Sequence, residues 1–440
     1  MTALTDPDAM PLADLLRTAA AMVAGAAATQ GAPRAFLAQL EYLDGAADQA
    51  AHRAALLRAA ASFVRLFTLA APDAPGLAVL GAEVDPATMG ARDVPLTGVA
   101  GTGVTFRQAF ESCVGEGVEH LSQHATAGHA IEVMPDADAL AAAPHALREI
   151  WDRLRPFRRD ATRDAAWLSA ADLADGAPVR VPADLCLRRP AAARDLDPPW
   201  PLSIGCAAGP DHLAATLHAL LELVERDAVA LWWRGGHRAR LLPADCAAAA
   251  LAPLRGGATA RRTWFLDITS DIAVPTVVAA SCDDGGFGLC CGHAARPTLA
   301  AAAAAAAREM AQMELAVHLV ASKRAVRGEA ALNQADRDHL RRVTTIDVAR
   351  VPALHPLAPP LPPRDLPAPD GRSVLAALRQ RLGAVGLAPC ALDLTCAAFA
   401  IPVVRVLCPG LELGLAAPPG PRLLRLAERS GIDPADVPPL

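Results

Sequence analysis

One pattern occurs twice in this chain, 106 residues apart. Gly103, Ala109, Glu116, Val118 and Glu119, within GVTFRQAFESCVGEGVEHLS, are matched by Gly209, Ala215, Glu222, Val224 and Glu225, within GPDHLAATLHALLELVERDA. Each copy reads as a Gly-rich loop, a helical run and a Glu-x-x-Glu. Carboxylates three residues apart share one helix face. Four of them on two related helices repel one another unless a cation lies between them. A magnesium–nucleotide complex meets that need, because magnesium takes oxygen donors from one or two carboxylates together with phosphates. The competing reading is a solvated helix face laced with ion pairs, with Glu225, Arg226 and Asp227 neutralising one another locally. Two facts weigh against it: the recurrence itself, and the apolar neighbours of Glu116 and Glu222, where an unpartnered charge is costly. The Gly-rich stretches, GVAGTG at 98–103 and GCAAG at 205–209, precede helix starts that offer free N–H groups to a phosphate.

A second repeat follows. TWFLDITSDIAVPTVVAAS (263–281) is matched by PCALDLTCAAFAIPVVRVLC (389–408). Val, Ile and Thr dominate, and a Pro stands at an entry, so both copies read as strand–turn–strand. Between them lie an Ala-rich helix, 298 to about 322, and a Pro-rich linker at 351–371. Repeated strands with repeated helices predict an α+β fold with internal pseudo-symmetry. Residues 1–90 read differently. Apolar residues recur at helix spacing in PLADLLRTAAAMVAGAAA, RAFLAQLEYL and AALLRAAASFVRLFTLA, which predicts an N-terminal helical region ahead of the main domain at 91–440.

Several function classes are excluded. The chain has one Lys, Lys323, and no G-x-x-x-x-G-K-[ST], so it is not a P-loop NTPase. A net charge of −6 with scattered Arg predicts no nucleic-acid partner. The Ala300–Ala307 run is too short to span a bilayer, so no membrane partner is expected. The opening MTALTDPDAMPLADLL lacks a basic region and an apolar core, which predicts a cytoplasmic location. Ten unspaced cysteines suit reduced, buried thiols. His120 and His124 stand four apart with no third ligand in reach, and read as polar, hydrogen-bonded residues rather than a zinc pair. Glu309 and Gln312, late in the Ala-rich helix, share a face.

In order, SCVGEGVEHLS, VPADLCL, GCAAGPDHLAATLHALLELVERDAVALWW, LDITSDIAVPTVVAA, the Ala-rich helix with Glu309 and Gln312, and LDLTCAAFAIPVVRVLCPGLE resemble the YcaO family over roughly residues 90–440. The resemblance implies a YcaO-type mixed sheet-and-helix domain and an ATP- and Mg2+-dependent enzyme. Such enzymes phosphorylate a peptide amide oxygen and form azolines from Cys, Ser or Thr in a ribosomally made peptide. Backbone thioamidation with a sulfide-delivering accessory protein is the alternative reaction. A degenerate, non-catalytic scaffold is the alternative role. Carried over by position, Glu116, Glu222 and Glu309 would bind metal. Ser112, Glu119, Glu225 and Arg226 would bind ATP, and the carboxylate of Leu440 would act in catalysis. The resemblance also implies a precursor peptide, a leader-binding or sulfide-delivery partner, and a homodimer as one expected assembly. Three positions depart from the family pattern. His120 replaces an Arg, Pro210 replaces an Asn, and Ala304 and Ala305 occupy the region where an Arg is usual.

Overall fold

A computed structural model of the chain describes residues 10–26, 31–43, 47–141, 145–160, 162–198, 201–256, 259–356, 365–367, 370–415 and 417–437. In chain order the helices are α1 (Leu12–Val23), α2 (Ala32–Gln39), α3 (Ala47–Ala60), α4 (Phe106–Ser122), α5 (Asp136–Leu140), α6 (His145–Leu154), α7 (His212–Trp233), α8 (Ala244–Arg255), α9 (Leu299–Arg327), α10 (Gln334–Thr345), α11 (Gly371–Ala384) and α12 (Pro421–Ser430). The strands are β1 (Arg65–Leu69), β2 (Ala78–Val84), β3 (Thr97–Gly103), β4 (Glu132–Met134), β5 (Ala165–Asp172), β6 (Pro178–Pro182), β7 (Cys206–Ala208), β8 (Arg240–Leu241), β9 (Arg262–Asp267), β10 (Thr276–Cys282), β11 (Cys290–Ala295), β12 (Cys390–Asp393) and β13 (Val403–Leu407). No helix among the described residues is long and apolar enough to cross a membrane.

The chain forms two compact units. The first comprises Met1–Leu69, Ala78–Leu220 and Pro389–Pro409. It holds a three-stranded sheet, β1-β2-β3, and a larger sheet ordered β4-β5-β12-β13-β7, with β6 alongside β5. The second comprises Ala70–Leu77, Leu221–Ala388 and Gly410–Leu440, and holds the sheet β11-β10-β9-β8. Neighbouring strands in all three sheets are antiparallel. The expected helical character of 1–90 holds to Ala60. From Arg65 the β-branched and aromatic residues of RLFTL pair with β2, and β2 pairs with β3. Much of the Pro-rich linker (357–364 and 368–369) lies outside the described residues.

Both repeats found in the sequence have a physical basis. Thr105 caps α4 by accepting from the Gln108 N–H at 3.2 Å, and Asp211 caps α7 by accepting from the Ala214 N–H at 2.7 Å. Each cap saves a donor that helix geometry leaves orphaned. A Cβ on Gly103 would sit 2.8 Å from Ala109 N, and one on Gly209 would sit 2.6 Å from Ala215 N. The recurring Gly therefore lets a strand end run onto the first helical turn. The stretches expected to be loops are strands β3 and β7 instead.

The second repeat is equally exact in its bonding. Asp267 accepts from the Thr269 N–H at 2.9 Å, and Asp393 from the Thr395 N–H at 2.8 Å. The two threonine hydroxyls then accept from Thr276 N and Val403 N, both at 3.1 Å. Each corner places an Ala in the left-handed region, Ala273 at φ 62° and Ala400 at φ 52°. A following Pro fixes each exit.

The second unit is organised by α9. Its Thr298 cap accepts from the Ala301 N–H at 3.2 Å. Ala302, Ala303, Ala305, Ala306 and Ala307 are buried, and Gly292 of β11 lies so close that a Cβ there would collide with Ala306 and Met310 backbone. Small residues on both elements allow this approach. The core beside it gathers Trp232, Trp233, Leu266, Val278 and Ile346. The Trp232 indole N–H is satisfied by the Ala353 carbonyl at 2.9 Å.

Candidate active site

The first unit carries Ser112, Glu116 and Glu119 on α4. Glu119 accepts from the Ala208 N–H of β7 at 2.7 Å, and Glu116 accepts from the Ala100 N–H of β3 at 3.2 Å. Backbone donors thus supply part of the positive partner these carboxylates need. Glu116 keeps open surface, yet the protein around it displaces enough water to push its carboxyl up to about 7, against the pull of the Ala100 N–H. Ser112 is exposed one turn earlier.

The second unit carries Glu222, Glu225 and Arg226 on α7 and Glu309 on α9. Between the helices stands His293, on β11. Its Nδ1 lies 3.1 Å from Glu225 Oε1 and 3.5 Å from Glu309 Oε2, and its backbone N–H donates to Glu309 Oε2 at 2.9 Å. One ligand atom from each of these three residues lies within 4.8 Å of the others. Among the described residues, this is the one place where three such side chains meet. The Ala295 N–H reaches Glu225 Oε2 at 3.4 Å. Arg226 completes the cluster, 3.6 Å from Glu222 and 3.8 Å from Glu225.

Electrostatics follow the geometry. Lost hydration disfavours charge on Glu225, but the His293 hydrogen bond and Arg226 outweigh it and hold the carboxyl low. Lost hydration also works against a charged His293, and there Glu309 and Glu225 win and raise it. Arg226 is likewise raised, since Glu225, Glu222 and Glu309 overcome its burial. The donor set fits a divalent ion: two carboxylates and an imidazole nitrogen converge, and Glu225 is 5% exposed.

His293 was missed in the sequence because a lone His in CCGHAA has no motif around it. One signal was available. Glu116 bonds a strand N–H sixteen residues before it, and Glu309 does the same. The strand–helix–Glu unit therefore occurs in a form the 106-residue repeat did not reveal. Glu225, assigned to the nucleotide by the resemblance, stands in the metal-competent group, while Glu222 faces Arg226. Leu440 lies outside the described residues.

The departures also have structural outcomes. His120 and His124 stack edge to face at 5.4 Å between ring centres, and neither Nε2 has a partner. Burial, with Arg188 adding to it, pushes both imidazoles down to about 4. They are neutral residues and are not hydrogen-bonded at Nε2 as expected. Ala305 is buried in α9, and Pro210 is exposed beside the Asp211 cap. None of the ten cysteines is in a disulfide, and seven of them are buried.

A family described as YcaO cyclodehydratase, ATP- and Mg2+-binding, matches residues 100–412. The chain belongs to the YcaO family. Its fold is similar to that of a heterocyclase solved in complex with substrate and cofactor, at TM-score 0.65 and 22% identity over 86% of this chain and 54% of the other. YcaO from Methanopyrus kandleri, bound with AMPPCP and Mg2+, matches at TM-score 0.56 and 21% identity, covering 80% and 86%. The E. coli microcin synthetase McbBCD complex matches at TM-score 0.56 and 13% identity, covering 77% and 86%. The chain thus spans about half the length of the first of these. No curated protein sequence matches it. The family's cofactors are the ATP and Mg2+ expected from the motifs, and its enzyme class is the ATP-dependent cyclodehydratase.

Proposed function

We propose that this YcaO protein uses ATP and Mg2+ to activate a backbone amide of a ribosomally made peptide, which a Cys, Ser or Thr side chain of that peptide then attacks to form an azoline. The observation that carries the reading is the meeting of Glu225 and Glu309, from two helices, on the β11 imidazole beside Arg226. An amide oxygen is a poor leaving group, and transfer of a phosphoryl group to it makes a good one. Bound Mg2+ offsets the charge that develops on the phosphates. In this reading Glu225 and Glu309 would hold that ion, with Glu222 oriented through Arg226, whose guanidinium would supply positive charge to the phosphates. Carried over by position, Glu116 would bind metal, and Ser112 and Glu119 would bind ATP. The carboxylate of Leu440 would act as a base or orienter in the same reading. His120 is neutral and brings no phosphate-binding charge to the position where the family pattern has Arg.

The solved McbBCD complex is an assembly of several proteins. A peptide-recognising partner is therefore expected here as well. The test is incubation of the purified protein with ATP, Mg2+ and the Cys-, Ser- or Thr-rich peptide encoded beside its gene. Phosphate release with loss of one water per ring supports the reading. Exchange of an oxygen for a sulfur, when sulfide and an accessory protein are supplied, assigns thioamidation instead. ATP binding by calorimetry that is unchanged in Glu222→Gln and Glu225→Gln would leave a scaffold.

A further inference from the structure

Helix α4 has two working faces. Ser112, Glu116 and Glu119 lie on one of them. On a helix of about 3.6 residues per turn, the stripe formed by Phe106, Arg107, Phe110, Glu111 and Gly117 is centred about 180° away. That stripe is met by the N-terminal helices, which precede the residues, 100–412, that match the family. Phe36 of α2 stands edge-on to Phe106 and Phe110, with ring centres 6.1 and 5.9 Å away. Helix α2 then ends in a tight turn. The Tyr42 N–H donates to the Leu37 carbonyl at 2.9 Å, and the Glu41 N–H to the Ala38 carbonyl at 3.0 Å. Glu41 sits in that turn at φ 55°, a conformation that such helix ends usually give to Gly. Its side chain reaches Arg107 at 3.2 Å. The same turn delivers Tyr42, which is buried and whose hydroxyl donates to Glu111 Oε1 at 3.0 Å. Arg53 of α3 lies over the Tyr42 ring, 4.8 Å from its centre. Beyond α3, Phe63 closes on Gly117, the residue that follows Glu116, where a Cβ would fall 2.5 Å from the ring. Glycine inside a helix weakens it, so this one marks a close approach that an added Cβ would push apart.

These ties run along α4 from Phe106 to Gly117 and fix its rotation from behind. A carboxylate about 5–6 Å from the helix axis moves about 1 Å for every 10° that the helix turns. A misplacement of about 1 Å at a reacting group costs up to about a hundredfold in rate. We propose that the N-terminal helices are a positioning device for the nucleotide site, and that Tyr42, through Glu111, sets α4 so that Ser112, Glu116 and Glu119 meet ATP and Mg2+. The inference rests on the assignment of those three residues to ATP and metal, and it adds the residues that hold them in place. Tyr42 suits the task. Its ring has only two torsions to fix, and its buried hydroxyl holds the Glu111 carboxylate in one direction. The Glu41–Arg107 pair is open to water and contributes less. Tyr42 is thus a positioning residue, acting on the site through Glu111.

The test uses the full chain and Tyr42→Phe, which keeps the ring under Arg53 and removes only the hydroxyl. ATP binding with Mg2+ is measured by calorimetry at a temperature where circular dichroism finds native and variant equally folded. Indirect couplings of this kind are worth between about 2- and 30-fold in affinity, and ATP binding in Tyr42→Phe weakens by a factor in that range. Glu111→Gln keeps an acceptor for the hydroxyl and stays near the native affinity, whereas Glu111→Ala follows Tyr42→Phe. Coupling is reciprocal. Saturating ATP and Mg2+ therefore slow hydrogen exchange of the amides from Phe36 to Tyr42 in the native chain, and have little effect on them in Tyr42→Phe. A bond that serves stability alone gives another pattern: a lower thermal midpoint, native ATP affinity in folded Tyr42→Phe, and no response of α2 to ATP. That pattern overturns the proposal. Should Tyr42→Phe misfold, Phe63→Leu loosens the contact on Gly117 instead, and native ATP affinity in that variant, with no response of native α2 to ATP, overturns the proposal equally. A native chain that binds no ATP refutes the functional reading, and this inference falls with it. ATP binding that is indifferent to Tyr42 refutes the inference alone.

Discussion

Acid should weaken this protein through His124, and the size of the effect follows from its surroundings. The ring is 3% exposed, its Nε2 has no partner, and burial with Arg188 beside it pushes the imidazole down to about 4. In an unfolded chain a histidine titrates near 6.5. Between these values the unfolded state binds the extra proton, so stability rises with pH across the window and is lost as pH falls from about 6.5 towards 4. At pH 5 an unfolded histidine is almost fully protonated while folded His124 is about one-tenth protonated. Linkage then gives a loss of about 2 kcal/mol relative to pH 7. The perturbation is His124→Gln, which removes the titrating group but keeps a polar side chain. Urea unfolding followed by backbone ellipticity at pH 7 and pH 5 supplies the measurement. The variant starts less stable, and its further loss between the two pH values is smaller than that of the native chain by about 2 kcal/mol. Equal pH-dependent losses in the two proteins would refute the reasoning, because His124 would then titrate alike in both states.

Three further outcomes are expected. Ala273→Gly and Ala400→Gly relieve left-handed alanines in the two matched corners, and each raises the thermal midpoint, by a stabilisation of about 1 kcal/mol. An unchanged or lowered midpoint would show that the corners are not strained. Arg422→Met strands Asp227, which is fully buried and bonded to that guanidinium at 3.0 Å, and costs about 3 kcal/mol or more. Restoration of stability by Asp227→Asn in the same chain is the accompanying check. Gly292→Ala forces β11 away from α9 and lowers the thermal midpoint, whereas an alanine at exposed Gly98 in β3, where a Cβ meets nothing, leaves it near the native value.

Much of this architecture is legible in the amino-acid sequence. The 106-residue repeat located both helices and their glutamate pairs, while the Thr105 and Asp211 caps and the contacts of Gly103 and Gly209 are visible only in the structure. The strand–turn–strand pairs were read correctly from Val, Ile, Thr and Pro. Other features were not legible. Gly in GVAGTG signals a loop by local propensity, but here it permits close packing within a strand, which depends on a partner distant in sequence. The strands at 65–84 follow a long helical pattern, and only the pairing of β1 with β2, and of β2 with β3, sets them apart. His293 carries no periodicity or motif, so its role depends wholly on how closely β11 approaches α9. The paired glutamates were rightly read as needing positive partners, yet the chain meets part of that need itself with strand amides, Arg226 and His293.

The alanine face of α9 has one more consequence. A contact made of methyl groups and bare backbone offers few ways to be rebuilt, since any larger side chain wedges the sheet outward. The imidazole one residue beyond that contact is therefore carried on a strand that cannot shift against the helix, which keeps it between Glu225 and Glu309.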